Sequence, residues 1–303
     1  MPIKLTILGS SAALPAYNRN LSAHLLELNG HSLLFDCGEG TQFQLRKFKK
    51  SFQRIDSIFI SHTHGDHFFG LPGLLSSMQM LGRNKNIDIY GPKGIEEAIS
   101  AIMFQTRSSV QFNINYHIIS VTSKTEIISN KNYKIYAFPL KHSVETYGYL
   151  FIKNKEALNI RKDFLIKNTV SIEQIKQIKE GVDFIDENGN LFSNKDITKE
   201  PKERISYAYC SDTAYFEELA IWVKDVKLLY HESTYISDNK TKATDRFHST
   251  AKDAAQTALR ANAKALLLGH FSGRYKNLDL FKKEAQEIFE NIIIGEEGME
   301  IEM

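Results

Sequence analysis

The chain has 303 residues, 42% of them hydrophobic and 24% charged, with a formal net charge of +2. That is the make-up of an ordinary soluble globule, long enough for one large domain or two small ones, and the charge is too small to name a nucleic-acid partner by itself. Two cysteines far apart, Cys37 and Cys210, exclude a disulfide scaffold and a cysteine-based zinc site and fit a reducing cytosol. The first ten residues lack the layout of a signal peptide, and no segment reaches the roughly 18 apolar residues of a membrane span.

Residues 4–8 read as a first strand, ended by Gly9-Ser10-Ser11. Residues 23–28, 31–36 and 57–61 read as further short strands between glycine or polar turns. Residues 43–52 read as a helix whose basic residues, Arg46 to Lys50, form a solvated face. Residues 74–81 read as an apolar helix, 87–90 as a strand stopped by Gly91-Pro92, and 94–105 as a helix. Strands are expected at 113–120 and 134–138, then a strand at 227–230, a helix at 251–261, a strand at 265–268 and a helix at 279–290. Early meanders with helices interposed later predict a layered α/β architecture with mixed sheets. Residues 153–200 break the pattern, being polar and lysine-rich. A helix at 171–180 is predicted there, with Ser171 and Gln174 as a capping box and Ile172, Ile175 and Ile178 as a narrow apolar stripe. The segment is either a surface helix and loop folded onto the body or an arm projecting from it.

The stretch His62-Thr63-His64-Gly65-Asp66-His67 follows the apolar run Ile58-Phe59-Ile60. Imidazole and carboxylate are ligands that borderline divalent metals accept. Alternate residues of an extended segment point the same way, so His62 and His64 can share one ion. Gly65 is expected to turn the chain sharply, sending Asp66 and His67 toward a second ion. Three more metal-capable residues close apolar runs: His142 after 136–140, Asp212 after 205–209 and His270 after 265–268. Strand ends are where open α/β sheets keep their chemistry. Since a carboxylate can bridge two ions and an imidazole serves one, the economical assignment puts His62, His64 and His142 on one metal. Asp66, His67 and His270 then take the other, and Asp212 bridges. Two metals roughly 3.5–4 Å apart can lower the pKa of a shared water and stabilise attacking and leaving oxygens.

With these residues the chain resembles the metallo-β-lactamase fold, and more narrowly the ribonuclease Z family. The similarity runs through 14–20 (Leu-Pro-Ala-Tyr-Asn-Arg-Asn), 35–42 (Phe-Asp-Cys-Gly-Glu-Gly-Thr-Gln), 70–74 after the metal motif, His231-Glu232-Ser233-Thr234, His248-Ser249-Thr250, and 269–275 around the last ligand. The resemblance implies a four-layer αββα sandwich of two mixed sheets flanked by helices, with 153–200 as an inserted arm within a single domain. It implies removal of the 3′ trailer from precursor tRNA by attack of metal-activated water on the phosphodiester, leaving a tRNA 3′-hydroxyl and a 5′-phosphorylated trailer. It also implies two zinc ions per subunit, a homodimer in which one subunit's arm helps hold the tRNA cut by the other, a cytoplasmic setting, and neither membrane nor organic cofactor.

Under that resemblance Asp66 is the proton acceptor, His248 protonates the leaving oxygen or steadies phosphate charge, and Glu232 orients His248. Arg19 and Arg274 are candidate phosphate contacts. His24, His31, His117 and His231 are read as structural, and Cys37 and Cys210 as packing residues. In one respect the chain departs from the family: the insert contains no Gly-Pro pair. The alternative is a hydrolase of the same fold acting on a small phosphodiester or another small substrate. A non-catalytic RNA-binding relative would carry a degenerate ligand set, and this set is complete.

Overall fold

The computed structural model describes residues 3–154, 158–199 and 205–303. Alternation along each strand decides which layer a side chain enters. Phe59 enters the space between two sheets, whereas Ile58 and Ile60 pack on the opposite face beneath helices. The same division recurs on the other side, where Tyr207 and Tyr209 face inward and Ala208 and Cys210 outward. The result is four layers, with the predicted mixed sheets at the centre.

The first sheet has seven strands in the order Glu300–Glu302, Lys4–Gly9, Ala23–Leu28, His31–Phe35, Ile55–Phe59, Ile87–Gly91 and Ile114–Ile118. Its early strands form an antiparallel meander and its later ones run parallel. The second sheet runs Ile292–Ile294, Ala265–Gly269, Leu228–Glu232, Ser206–Cys210, Tyr147–Lys153, Tyr133–Pro139 and Thr125–Ser129. Helices Thr41–Lys47, Gly70–Met80 and Ile95–Gln105 cover the first sheet, and Glu218–Trp222, Ala251–Arg260 and Asp279–Gln286 cover the second. Between the sheets lies an aromatic layer in which Tyr209 stacks on Tyr230 with centroids 4.8 Å apart and Phe35 on Phe59 at 5.1 Å.

Several predicted boundaries move. The basic helix ends at Lys47, because Lys49 takes a left-handed φ of 56° and the Lys50 N–H turns back to the Leu45 carbonyl. Lys50 is not solvated: its ammonium is buried between Glu27 and Glu300 at 2.6 and 2.7 Å. Gly65 has no positive φ and opens the short helix Gly65–Phe68. A Cβ there would lie 2.4 Å from the Phe69 ring, so close packing accounts for the glycine.

Within 158–199, Phe164, Ile178, Phe184 and Ile197 form a small core of their own. Two short ribbons, Asn159–Ile160 with Thr198–Lys199 and Phe184–Ile185 with Leu191–Phe192, frame the helices Lys162–Lys167 and Ile172–Lys179. The Ser171–Gln174 capping box forms as predicted. The stripe is only partly buried: Ile178 enters the small core while Ile172 stays 88% exposed. Of the predicted insert, 153–200, Lys153 still belongs to the strand Tyr147–Lys153 of the second sheet, while 155–157 and 200 lie outside the described residues.

Candidate metal centre

The C-terminal ends of the parallel strands of both sheets meet at one edge, and the metal-capable side chains gather there. His62 follows Ile55–Phe59, His64 precedes Gly65–Phe68, Asp66 and His67 lie within that helix, and Asp212 follows Ser206–Cys210. His270 follows Ala265–Gly269 in a left-handed conformation (φ 58°) that turns its ring back over the edge. Gly269 permits this approach, since a Cβ would stand 2.5 Å from Tyr230.

Two groups of donor atoms result. In the first, His62 Nε2 lies 3.1 Å from His64 Nδ1, and His142 Nε2 lies 3.3 Å from that same atom. Asp212 Oδ2 faces both rings, 3.8 Å from His62 and 3.7 Å from His142. In the second, His67 Nε2 and His270 Nε2 are 3.2 Å apart, and Asp66 Oδ2 is 3.3 Å from each. The other oxygen of Asp212, Oδ1, stands 3.2 Å from His67 and from His270. Asp212 therefore presents one oxygen to each group, and the donor atoms of each group lie within 4.8 Å of one another.

The outer nitrogens show what these rings are arranged to do. His67 Nδ1 donates to Asp36 Oδ2 at 2.7 Å, His142 Nδ1 to the Phe247 carbonyl at 3.2 Å, and His62 Nδ1 to Ser61 Oγ at 3.0 Å. His270 Nδ1 meets Thr234 Oγ1 at 2.9 Å, and that hydroxyl already donates to Glu232 Oε2 at 2.8 Å, so the ring is the donor. With the outer nitrogen committed as N–H, the inner nitrogen of each ring offers a lone pair to the centre. Lone pairs converging at 3.1–3.3 Å repel unless a cation lies among them. The surrounding carboxylates favour positive charge at the same place. Burial works against charging His67, yet the carboxylates of Asp212, Asp66 and Asp36 push it well above its ordinary range. Burial raises Asp66 and Asp212, yet neighbouring imidazoles hold both well below the usual carboxylate range. Burial, helped by the His67 charge, takes His62 well below the usual histidine range, and burial lowers His142. This donor set fits two divalent cations sharing Asp212.

Beside the second group, Glu232 is fully buried and accepts from His248 Nδ1 at 2.8 Å. Its remaining positions accept the Thr213 N–H at 3.1 Å and the Thr234 N–H and hydroxyl at 2.9 and 2.8 Å. Burial disfavours the charged His248 ring, but the Glu232 charge and hydrogen bond win and push it up to about 9. Ser249 Oγ holds the Thr213 carbonyl at 2.7 Å, and Thr250 caps Ala251–Arg260 with Asp253, which sets the loop carrying His248. The whole constellation opens into a cleft of about 610 Å³ lined by Asp66, His142, Asp212, His248, His270 and Arg274 among others.

Arg19 lies elsewhere. It is only 7% exposed, and its guanidinium donates to the carbonyls of Tyr275 at 2.8 Å and Ser272 at 3.5 Å. It clamps the 272–275 loop instead of facing the cleft, which places it apart from the phosphate contact expected of it. His24, His31, His117 and His231 also stand outside the cleft. His24 is wedged between the sheets against Tyr207 and pushed down to about 3 by burial. His31 pairs with Asp56, His117 with Asp88 at 2.9 Å, and His231 Nδ1 donates to the Glu232 carbonyl at 2.7 Å. Cys37 and Cys210 are fully buried, and burial raises both thiols.

Asp36 is the residue that sequence reasoning quoted but gave no role. Its Oδ2 accepts from Ser61 Oγ at 2.8 Å, His67 Nδ1 at 2.7 Å and Tyr209 Oη at 2.7 Å, while Oδ1 accepts the Ser61 N–H at 2.6 Å. It ends the strand His31–Phe35 with a left-handed φ of 56°, a conformation that aspartate is among the few residues to tolerate, and that is visible only in the structure. The Ala13 N–H, which donates to Asp66 Oδ2 at 2.8 Å, had no signal in the sequence.

Comparison with known proteins gives one consistent picture. A Ribonuclease Z of Parabacteroides distasonis is 37% identical over 297 residues, covering 98% of both chains. A Ribonuclease Z of Cytophaga hutchinsonii is 40% identical over 299 residues, 98% of this chain and 95% of that one. The family described as Anti-Pycsar protein Apyc1 matches residues 3–189. Among solved structures, the short form of human tRNase Z superposes with a TM-score of 0.72 at 26% identity, covering 98% of each chain. The metallo-β-lactamase fold protein YhfI of Bacillus subtilis superposes at 0.70 with 20% identity over 100% of this chain and 99% of that one, which speaks for the fold alone.

Proposed function

The chain belongs to the ribonuclease Z family of metallo-β-lactamase-fold enzymes, sharing its residues 3–189 with the Anti-Pycsar protein Apyc1 family, and on that premise we propose that it cuts the 3′ trailer from precursor tRNA. The observation that carries this reading is the juxtaposition, in one cleft, of two ligand groups sharing Asp212 with the Glu232–His248 pair. We take the cations to be two zinc ions, held by His62, His64, His142 and Asp212 and by Asp66, His67, His270 and Asp212. Bound there, they would supply Lewis acidity to the attacking water and the phosphate.

The protein's own groups do the rest. Asp66 stays ionised, and its carboxylate, held in place by the Ala13 N–H on Oδ2, accepts the hydrogen bond and then the proton of the attacking water. His248, charged at neutral pH through Glu232, gives its Nε2 proton to the departing 3′ oxygen, leaving a tRNA 3′-hydroxyl and a 5′-phosphate on the trailer. Arg274, on the rim of the cleft, is placed to meet a flanking phosphate. The insert at 153–200, with its own small core, serves as the arm that grips the tRNA body, acting across a homodimer in the cytoplasm.

The test is incubation with an end-labelled precursor tRNA, with and without a chelator, beside bis(p-nitrophenyl) phosphate. Chelator-sensitive cutting at a single position near the end of the acceptor stem is the expected result. Turnover of the small diester alone would move the substrate elsewhere and favour the small-molecule alternative.

A further inference from the structure

Phe247 sits in the cleft in a way that neither packing nor metal binding explains. It is 45% exposed, it helps to line the cleft, and its backbone holds a left-handed φ of 57°. An aromatic residue rarely adopts that conformation unless its surroundings enforce it, and here they do. The Phe247 carbonyl accepts from His142 Nδ1 at 3.2 Å, and the next N–H, that of His248, donates to the Ala243 carbonyl at 2.8 Å. The loop is thus tied on one side to a candidate metal ligand and on the other to the helix Lys240–Asp245. The hydrophobic effect gives no reason to hold an aromatic ring in water. Its neighbours in the same cleft are the exposed Leu14 and the guanidinium-bearing Arg246 and Arg274, with Asp245 an acidic neighbour beside the candidate ligands Asp66 and Asp212. An aromatic side chain sharing one cleft with two arginines, at the proposed phosphodiester-cleaving centre, matches the chemistry of a nucleotide: a flat π-system joined to anionic phosphates.

We propose that Phe247 is a stacking platform for the base of a nucleotide adjoining the scissile phosphate, with Leu14 as a second apolar contact and Arg246 and Arg274 on the flanking phosphates. The proposal rests on the ribonucleolytic reading of the centre. Stacking is tolerant of base identity because every base has a π-face, so the subsite positions the chain without restricting which tRNA is processed.

The experiment is a cycle of enzyme and substrate changes. Wild-type, Phe247→Ala and Phe247→Trp enzymes are each assayed on an intact precursor tRNA and on precursors carrying an abasic residue on one or the other side of the scissile phosphate. On the intact precursor, Phe247→Ala should raise KM about ten- to hundredfold, the range that loss of one stacked base corresponds to, with kcat changed less. Phe247→Trp should restore most of the loss. One of the two abasic precursors should impose the same penalty on wild type and no further penalty on Phe247→Ala. Additive losses on both abasic precursors, or an alanine variant as efficient as wild type, would overturn the subsite while leaving the functional reading intact. Failure of wild-type enzyme to cut the intact precursor would overturn the functional reading and the subsite with it.

Discussion

Glu232→Gln removes one charge from the centre while nearly preserving its shape, and the structure sets the size of the effect. Glu232 holds His248 up at about 9 from an ordinary 6.5, against burial. Without that carboxylate the two largest raising influences are gone, Asp212 alone still opposes burial and the His67 charge, and the ring falls back toward its ordinary 6.5. At pH 8 a group at about 9 is roughly 90% protonated and one at 6.5 about 3%, a difference of about 30-fold in acid-competent enzyme. In wild type, kcat should hold until pH approaches 9 and fall above it. In the variant the falling limb should move down by about two units, and activity should partly recover near pH 6. The sign for stability follows the same pair. His248 is raised on folding, so its contribution is complete below about 6.5 and lost as pH rises through about 9. Glutamine cannot accept from the Thr213 and Thr234 groups as well as the carboxylate does, so a loss of about 1–3 kcal/mol in stability is also expected. The assay is a kcat–pH profile on precursor tRNA, with circular dichroism confirming the fold at each pH. A variant whose falling limb stays where wild type has it would refute the acid role of His248 and the reasoning from Glu232.

Asp66→Ala should abolish precursor cleavage with its circular dichroism spectrum unchanged, because Asp66 lies at the rim of the cleft and not in the core; turnover at the wild-type rate would remove it from the mechanism. Replacing residues 158–199 by a short glycine-serine linker should close readily, since Ile152 pairs with Ser206 across neighbouring strands. A binding and turnover comparison should then show precursor affinity falling far more than hydrolysis of bis(p-nitrophenyl) phosphate, and equal losses would make the insert structural. Arg19→Ala should lower the melting temperature, by the equivalent of about 1–3 kcal/mol for partly buried carbonyls left without donors, more than it changes kcat; a large fall in KM-controlled activity without a thermal effect would return Arg19 to the substrate.

The ligand residues were legible because the signals that mark them are local. His62, His64, Asp66 and His67 lie within six residues, and His142, Asp212 and His270 each follow an apolar run that had to be a strand. The layered α/β class with mixed sheets followed from the order of the predicted elements, and the four-layer arrangement from the resemblance. Glu232 and His248 carry no local mark, and only the resemblance pointed to them; their 2.8 Å contact joins a strand end to a helix-capping loop. Asp36 escaped because its partners come from two segments distant in sequence from it and from each other, Ser61 with His67 and Tyr209 with Ser211. The strand Tyr147–Lys153 was missed because Gly148 interrupts an otherwise good β pattern, and the glycine is there to admit the Phe138 ring, 2.2 Å from where a Cβ would stand. Phe247 is a single aromatic residue in a loop, and its exposure and backbone conformation are visible only in three dimensions.

The proposed chemistry depends on Asp212 joining two cation sites. Anomalous diffraction from crystals of the zinc-loaded protein, recorded on either side of the zinc absorption edge, locates them. Two peaks are expected on opposite sides of Asp212, one among His62, His64 and His142 and the other among Asp66, His67 and His270. A single peak, or peaks away from Asp212, would contradict it.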